Sequence, residues 1–302
     1  MEPPTPSTND VSKGLPPVRP PSGGFIVQLF LVPGLIIAVV VLIVFGFGYL
    51  VNGPRSTEYF LRELDSANNE IRWRGAHDLA QVLKRPESLA LASDPEFALE
   101  LAVRLKRALD DLQQDEKTTW ERIKNLSESE QALKWRKLAS QRDYVLYLTA
   151  CLGDFTVPVG APILCEIAQE ERSPDVKEWT LRRQRAVWAL ANLGENRKRF
   201  GQLSKDQQAD ALARLKEEAD NGEAPSRRRE WAKAALESFD KGHSAMGVDA
   251  ALAQVARADD PYLRSLAALA LNFWDGPQTE PTLLLLAHDR GRGELIKITE
   301  ND

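Results

Sequence analysis

Hydrophobic and polar positions divide this chain into two unlike parts. From Phe25 to Val51 no charged residue occurs, and Gln28 is the one strongly polar side chain in the run. Beyond residue 56 the apolar residues recur at three- and four-residue spacing, the period of a helix with one buried face. Leu99, Val103, Leu105 and Leu109 follow it, as do Leu212, Leu215 and Ala219. Strand-like alternation is missing, and Pro86, Pro95, Pro158, Pro174, Pro225, Pro261 and Pro277 punctuate the chain at helical intervals. The spacing predicts helices over 57–66 and 69–84, 94–114 and 130–152, 158–171 and 175–194, 204–221 and 225–240, and 246–258 and 260–274. A last helix is predicted near 278–288. The charged segment 115–129 departs from the pattern and fits either a helix extension or a solvated insertion. The expected class is all-α.

The uncharged run reads as a single transmembrane helix over 25–51. Leu29–Val51 is 23 residues, about 35 Å at 1.5 Å per residue, against a hydrocarbon core of about 30 Å. Pro33 and Gly34 lie near one end, and Phe45, Phe47 and Tyr49 near the other, where an interfacial aromatic belt belongs. A cleaved signal is disfavoured, because the run exceeds an h-region of about 7–15 residues and no small-x-small site follows it. Residues 1–24, with Pro3, Pro4, Pro6, Pro16, Pro17, Pro20 and Pro21, predict a disordered tail. A short linker over 52–56, a helical domain over 57–290 and a fraying tail over 291–302 complete the expected organisation. Lys13 and Arg19 precede the run, and Arg55 and Arg62 follow it. Arg55 lies nearest the run, which tips the expectation towards a cell-membrane protein with a cytoplasmic helical domain.

One register repeats along the helical part. An Arg is followed three residues on by a small or β-branched residue and seven on usually by Leu: Arg72–Gly75–Leu79, Arg183–Ala186–Leu190, Arg229–Ala232–Leu236 and Arg264–Ala267–Leu271. Arg142–Val145–Thr149 is a degenerate copy. Steps of three and seven return to one helix face, where the small residue admits a neighbouring helix. Successive arginines are 70, 41, 46 and 35 residues apart, and all but the first interval suit helix-pair repeats of about 40 residues. The segments Asp259–Leu271 and Arg183–Gly194 resemble the second helix of a HEAT repeat. The resemblance spans roughly residues 56–290 and implies an α-solenoid of about five helix pairs. Pairs of this kind cannot bury their apolar faces alone and must stack. The family pattern carries no catalytic residues.

Composition narrows the function. Lys plus Arg total 39 and Asp plus Glu 44, a net charge of −5, which argues against a general nucleic-acid binder. Two cysteines and three histidines leave no material for a disulfide framework or a Cys-rich metal fold. Cys151 and Cys165 bracket a turn with an axial offset of about 6 Å across helices about 8–10 Å apart, too far for a disulfide, so both are expected as free, buried thiols. His77 and Asp78 point about 100° apart on a helix and are not expected to form a dyad. His243 and His288 fall in or near loops. Walker, dinucleotide-binding, nucleophile-elbow and HExxH motifs are missing, so no cofactor is expected. The Asn125-Leu126-Ser127 sequon is a match common by chance.

The candidate partner-binding residues are basic and aromatic. Arg182, Arg183 and Arg185 begin one helix, Arg197, Lys198 and Arg199 close it, and Arg227 and Arg228 begin a later one. Stacked repeats would bring them into a basic ridge for anionic lipid headgroups or an acidic protein. The competing reading has such arginines tie adjacent repeats together through acids such as Glu217, Glu218, Asp220 and Glu230. Trp73 and Trp188 fall within the repeat register and are expected in the packing, whereas Trp120 and Trp135 flank the irregular segment and are expected at the surface. The expected function is a non-catalytic, membrane-tethered scaffold for a protein partner. The alternatives are a HEAT-like lyase or glycosylase with Asp78 or Asp154 in an aromatic groove, and a regulatory solenoid on the envelope side.

Overall fold

A computed structural model describes residues 23–51, 56–170, 177–240 and 246–288. Among them every regular element is helical, in thirteen α-helices joined by turns and short 3₁₀ segments. The chain divides into two compact units, Met1–Arg55 and Ser56–Asp302.

In the first unit, helix α1 runs from Gly23 to Val51 with Pro33 inside it. The expected membrane-spanning helix is not found: among the described residues no helix is long and apolar enough to cross a membrane. Of the tail expected over 1–24, Gly23 and Gly24 instead begin α1, while residues 1–22, residues 52–55 of the expected linker 52–56, and the C-terminal tail over 291–302 lie outside the described residues.

The second unit begins with α2 (Thr57–Leu64) and α3 (Asn69–Leu83), then the single turn α4 (Leu89–Ala92) and the long helices α5 (Pro95–Arg122) and α6 (Glu128–Gly153). It continues with α7 (Ala161–Gln169), α8 (Lys177–Phe200), α9 (Lys205–Asp220), α10 (Ser226–Asp240), α11 (Val248–Val255), α12 (Pro261–Leu271) and α13 (Thr279–Ala287). Local chemistry sets the starts. Asp94 accepts from the amides of Glu96 and Phe97, and Asp260 from that of Tyr262, each just ahead of a proline whose missing N–H costs nothing there. Ser204 and Gln207 form a reciprocal capping box, and Glu130 accepts from both the amide and the hydroxyl of Ser127.

Two helices outrun their expected ends. The helix predicted to stop at 114 continues to Arg122, because Glu116 and Thr119 still face inward. Residues 115–129 are therefore a helix extension, a 3₁₀ turn over Ile123–Asn125 and the cap of α6. Helix α8 passes the predicted end at 194 and reaches Phe200. Gly194 serves close packing instead of termination: a Cβ there would lie 2.5 Å from the Phe273 Cβ and 2.8 Å from the Trp274 Nε1.

The helices form hairpins whose second members pack side by side. α3 packs on α6, α6 on α8 and α8 on α12, while among the first members α7 packs on α11. Small residues sit at close helix contacts both within and between hairpins. A Cβ on Gly75 would come 2.9 Å from the Glu63 Cβ, and one on Gly153 the same distance from the Ala189 Cα. Leu79, Ala186, Leu190, Ala232, Ala267 and Leu271 are all buried. One apolar cluster runs from Phe60 to Trp274. The α9–α10 hairpin departs from a stack in chain order: α8 meets α12 directly, and α9 and α10 lie against α5, with α10 also on the 158–160 turn. Trp231, at 4 % exposure, roots that hairpin in the core.

Candidate functional site

The recurring arginines have a consistent local task. Arg183 Nε donates to the Ala168 carbonyl at 2.9 Å. Arg229 Nη1 donates to Gly222 O at 3.5 Å, and Arg264 Nη1 to Ala258 O and Asp259 O, both at 2.9 Å. In each hairpin the second helix thus reaches back to carbonyls at or just beyond the C-terminal end of the first. Those carbonyls have no partner within their own helix, and the helix dipole favours a cation there. The tie shared by these three runs within a pair, through backbone carbonyls. Arg72 and Arg142 differ: Arg72 lies 4.8 Å over the Tyr144 ring, and Arg142 Nε bonds Glu116 at 3.0 Å.

Most of the predicted basic ridge is turned into the fold. Arg182 is 5 % exposed and meets Glu116 at 3.5 Å, so one buried carboxylate joins α5 to α6 through Arg142 and to α8 through Arg182. Arg228 holds Glu218 with two bonds of 2.8 and 2.7 Å and reaches Glu100 of α5 at 3.4 Å. Arg227 lies 3.9 Å from Glu166 of α7. These contacts fasten the α9–α10 hairpin across α5 and α7. Arg199 donates to Asn196 at 3.4 Å, and Arg197 to the Phe273 carbonyl at 2.7 Å. Arg185, Lys198 and Arg227 are exposed.

The exposed face of α8 is where the surface departs from expectation. Positions 182, 186, 189, 190 and 193 are buried. Leu181, Arg185 and Trp188 lie at i, i+4 and i+7 on another face and are exposed, Leu181 and Trp188 at 41 % each. Trp188, expected in the packing, is outside it. The signal was legible: five steps from Arg183 turn a helix about 500°, well off the face that Ala186 and Leu190 share. On the neighbouring α12, Leu269 is 38 % exposed. Trp73, by contrast, stacks on Tyr147 at 6.2 Å and donates to Glu70 at 2.9 Å.

At the far end of the α5–α6 hairpin, Trp120 is 57 % exposed and meets the half-buried Trp135 edge to face, with centroids 5.3 Å apart. The two tryptophans predicted for the surface are thus brought together from the two sides of one turn.

The groups that an enzyme would need are dispersed. Asp154 caps α6 at 3 % exposure, its Oδ2 has no hydrogen-bond partner, and burial lifts its carboxyl to about 6 against the pull of Lys84 and Arg199. It does not line the clefts beside Arg182, Arg104 or Arg197. Asp78 does meet His77, at 3.4 Å, contrary to the expectation from helix geometry, since both side chains bend toward each other in solvent at 48 and 40 % exposure. Cys151 and Cys165 are free and buried, and burial raises both thiols. Among the described residues no group of His, Cys, Asp or Glu could hold a metal ion. No family model matches the chain, and no curated protein matches it either.

Proposed function

We propose that the helical unit is a non-catalytic scaffold or adaptor of the HEAT-like, two-helix repeat type, and that it holds a protein partner against the exposed face of α8. The observation that carries this reading is the stripe Leu181–Arg185–Trp188, on a helix flanked by α6 and α12. Tryptophan and arginine are the side chains most enriched where interfaces concentrate their binding energy. An apolar pocket with an acidic rim is the complementary surface. The repeat type is supported by the Arg-to-carbonyl tie in three hairpins and by the serial packing of second helices. The reading needs no anchor and no reactive group.

The test is quantitative capture of partners by the immobilised full chain and by its W188A/R185A variant. A tryptophan at an energetic centre is worth about 2 kcal/mol or more, so a partner should weaken about 30-fold or more in the variant. Capture of the same proteins at unchanged affinity by a folded variant would refute the assignment.

A further inference from the structure

We propose that the tip of the α5–α6 hairpin docks on an anionic membrane surface. It is a second surface, built from helices other than α8, and the hairpin projects far enough to present it. Glu70, in the first turn of α3, meets Ser140 at 3.0 Å, and the Cys151 thiol donates to the Ala76 carbonyl further along, so α3 and α6 run in the same direction. α6 therefore extends over residues 128–139, about 18 Å, beyond the start of α3. From α8, Arg182 reaches the hairpin at Glu116, one turn short of Trp120.

The projecting end is apolar where a soluble hairpin would be polar. Trp120 is 57 % exposed and Leu133 70 %. Trp120 rests edge to face on the half-buried Trp135. The two steps from Leu133 to Trp135 turn a helix about 200°. The apolar side chains thus stand on different sides of the tip and surround it, as entry end-on into an interface requires. Indole rings settle at the headgroup level of a bilayer, where one edge is wet and the other apolar.

Charge selects the kind of membrane. Asp115 is matched by Lys137 at 2.8 Å, and Glu116 by Arg142 and Arg182. Beyond that layer Lys117, Arg122, Lys124, Lys134 and Arg136 are all exposed. The acids there are Glu121, Glu128 and Glu130, and Glu130 is engaged in capping α6 through Ser127. Five basic residues against three acids give the tip a charge of +2 in a chain of −5. Long basic side chains lay their stems along apolar surface and keep their heads in water. Each one near an anionic leaflet strengthens binding about fivefold. A projecting end offers a protein partner no pocket, whereas a yielding, negatively charged interface takes both its indoles and its cations.

An environment-sensitive nitrobenzoxadiazole dye on Ala132→Cys of the full chain tests the assignment. Ala132 is exposed beside Leu133, and the native Cys151 and Cys165 are buried away from the labelling reagent. Phosphatidylcholine vesicles with about 30 mol % phosphatidylserine are expected to raise the emission at least twofold, and pure phosphatidylcholine vesicles to leave it unchanged. The same dye on Ala213→Cys, exposed on α9, reports attachment through another part of the chain and is expected to stay unchanged. K117E/K124E/K134E alters exposed side chains and, folded by circular dichroism, is expected to cut the Ala132→Cys response at least fivefold. No response from the tip, an equal response to pure phosphatidylcholine, an equal response from α9, or a response untouched by the charge reversal overturns the proposal.

Discussion

Replacing Glu116 by glutamine probes a buried ion cluster that joins three helices. Glu116 faces Arg142 at 3.0 Å and Arg182 at 3.5 Å, and the Glu116 and Arg182 side chains are only 7 and 6 % exposed. Glutamine keeps the shape and removes the carboxylate charge that Arg142 and Arg182 share at the junction of α5, α6 and α8. Removing one member of a buried ion pair costs about 3–5 kcal/mol, because the remaining charge is left uncompensated. For a unit of this size each kcal/mol moves the melting temperature by about 2–4 °C, so the expected fall is about 6–20 °C. The assay is thermal unfolding of the full chain followed by circular dichroism at 222 nm. Arg214→Ala is the control, because its pair with Asp210 sits at 42 and 60 % exposure and is worth at most about 0.5 kcal/mol. A variant lacking all three charges, E116L/R142L/R182M, should recover much of the loss, since apolar side chains fill such sites without an ionic penalty. If Glu116→Gln falls no further than Arg214→Ala, the carboxylate does not join the hairpins as argued.

Two further outcomes follow from single residues. Asp154 has a carboxyl lifted by burial to about 6 from 3.8. The folded state therefore holds its proton more tightly than the unfolded chain, and this group's contribution is greatest below pH 4 and is lost as pH rises through 6. At roughly 1.4 kcal/mol per unit, Asp154→Asn should stabilise the chain by up to roughly 3 kcal/mol at pH 7.5. The gain should vanish near pH 4, so an equal shift in melting temperature at both pH values contradicts the assignment. Gly194→Ala would push a Cβ against Phe273 and Trp274. It should cost about 1–3 kcal/mol by denaturant unfolding, and a neutral change would show that α8 and the turn after α12 are not in close contact.

The helices were largely legible because their signals are local. Proline at the first turn, capping serines and aspartates, and the period of Leu and Ala mark α3, α9, α10 and α12 within a few residues. The extension of α5 was ambiguous because Glu116 and Thr119, polar residues, occupy inward positions that a hydrophobic pattern leaves blank. The placement of α9–α10 across α5 and α7 was not legible at all. It rests on Arg228 meeting Glu100, 128 residues away, and no local period carries a contact of that range. The membrane expectation came from apolarity over 25–51, and among the described residues no helix is long and apolar enough to cross a membrane. Of the candidate site, the arginines were found and their task was not. Partners such as Ala168 O and Phe273 O are backbone atoms, which leave no mark in the sequence. Trp188 was misplaced because an Arg–Ala–Leu register marks one face of α8 and says nothing of a tryptophan two positions past Ala186.

Site-specific photocrosslinking from α8 tests the binding account most directly. A benzophenone side chain is placed at position 181, beside Trp188 on the exposed stripe, and in a parallel chain at exposed position 216 on α9. The account predicts a discrete protein adduct from 181 in cells, lost when Trp188→Ala is added, and none from 216. Adducts from both positions alike, or an adduct from 181 that persists without Trp188, would contradict it.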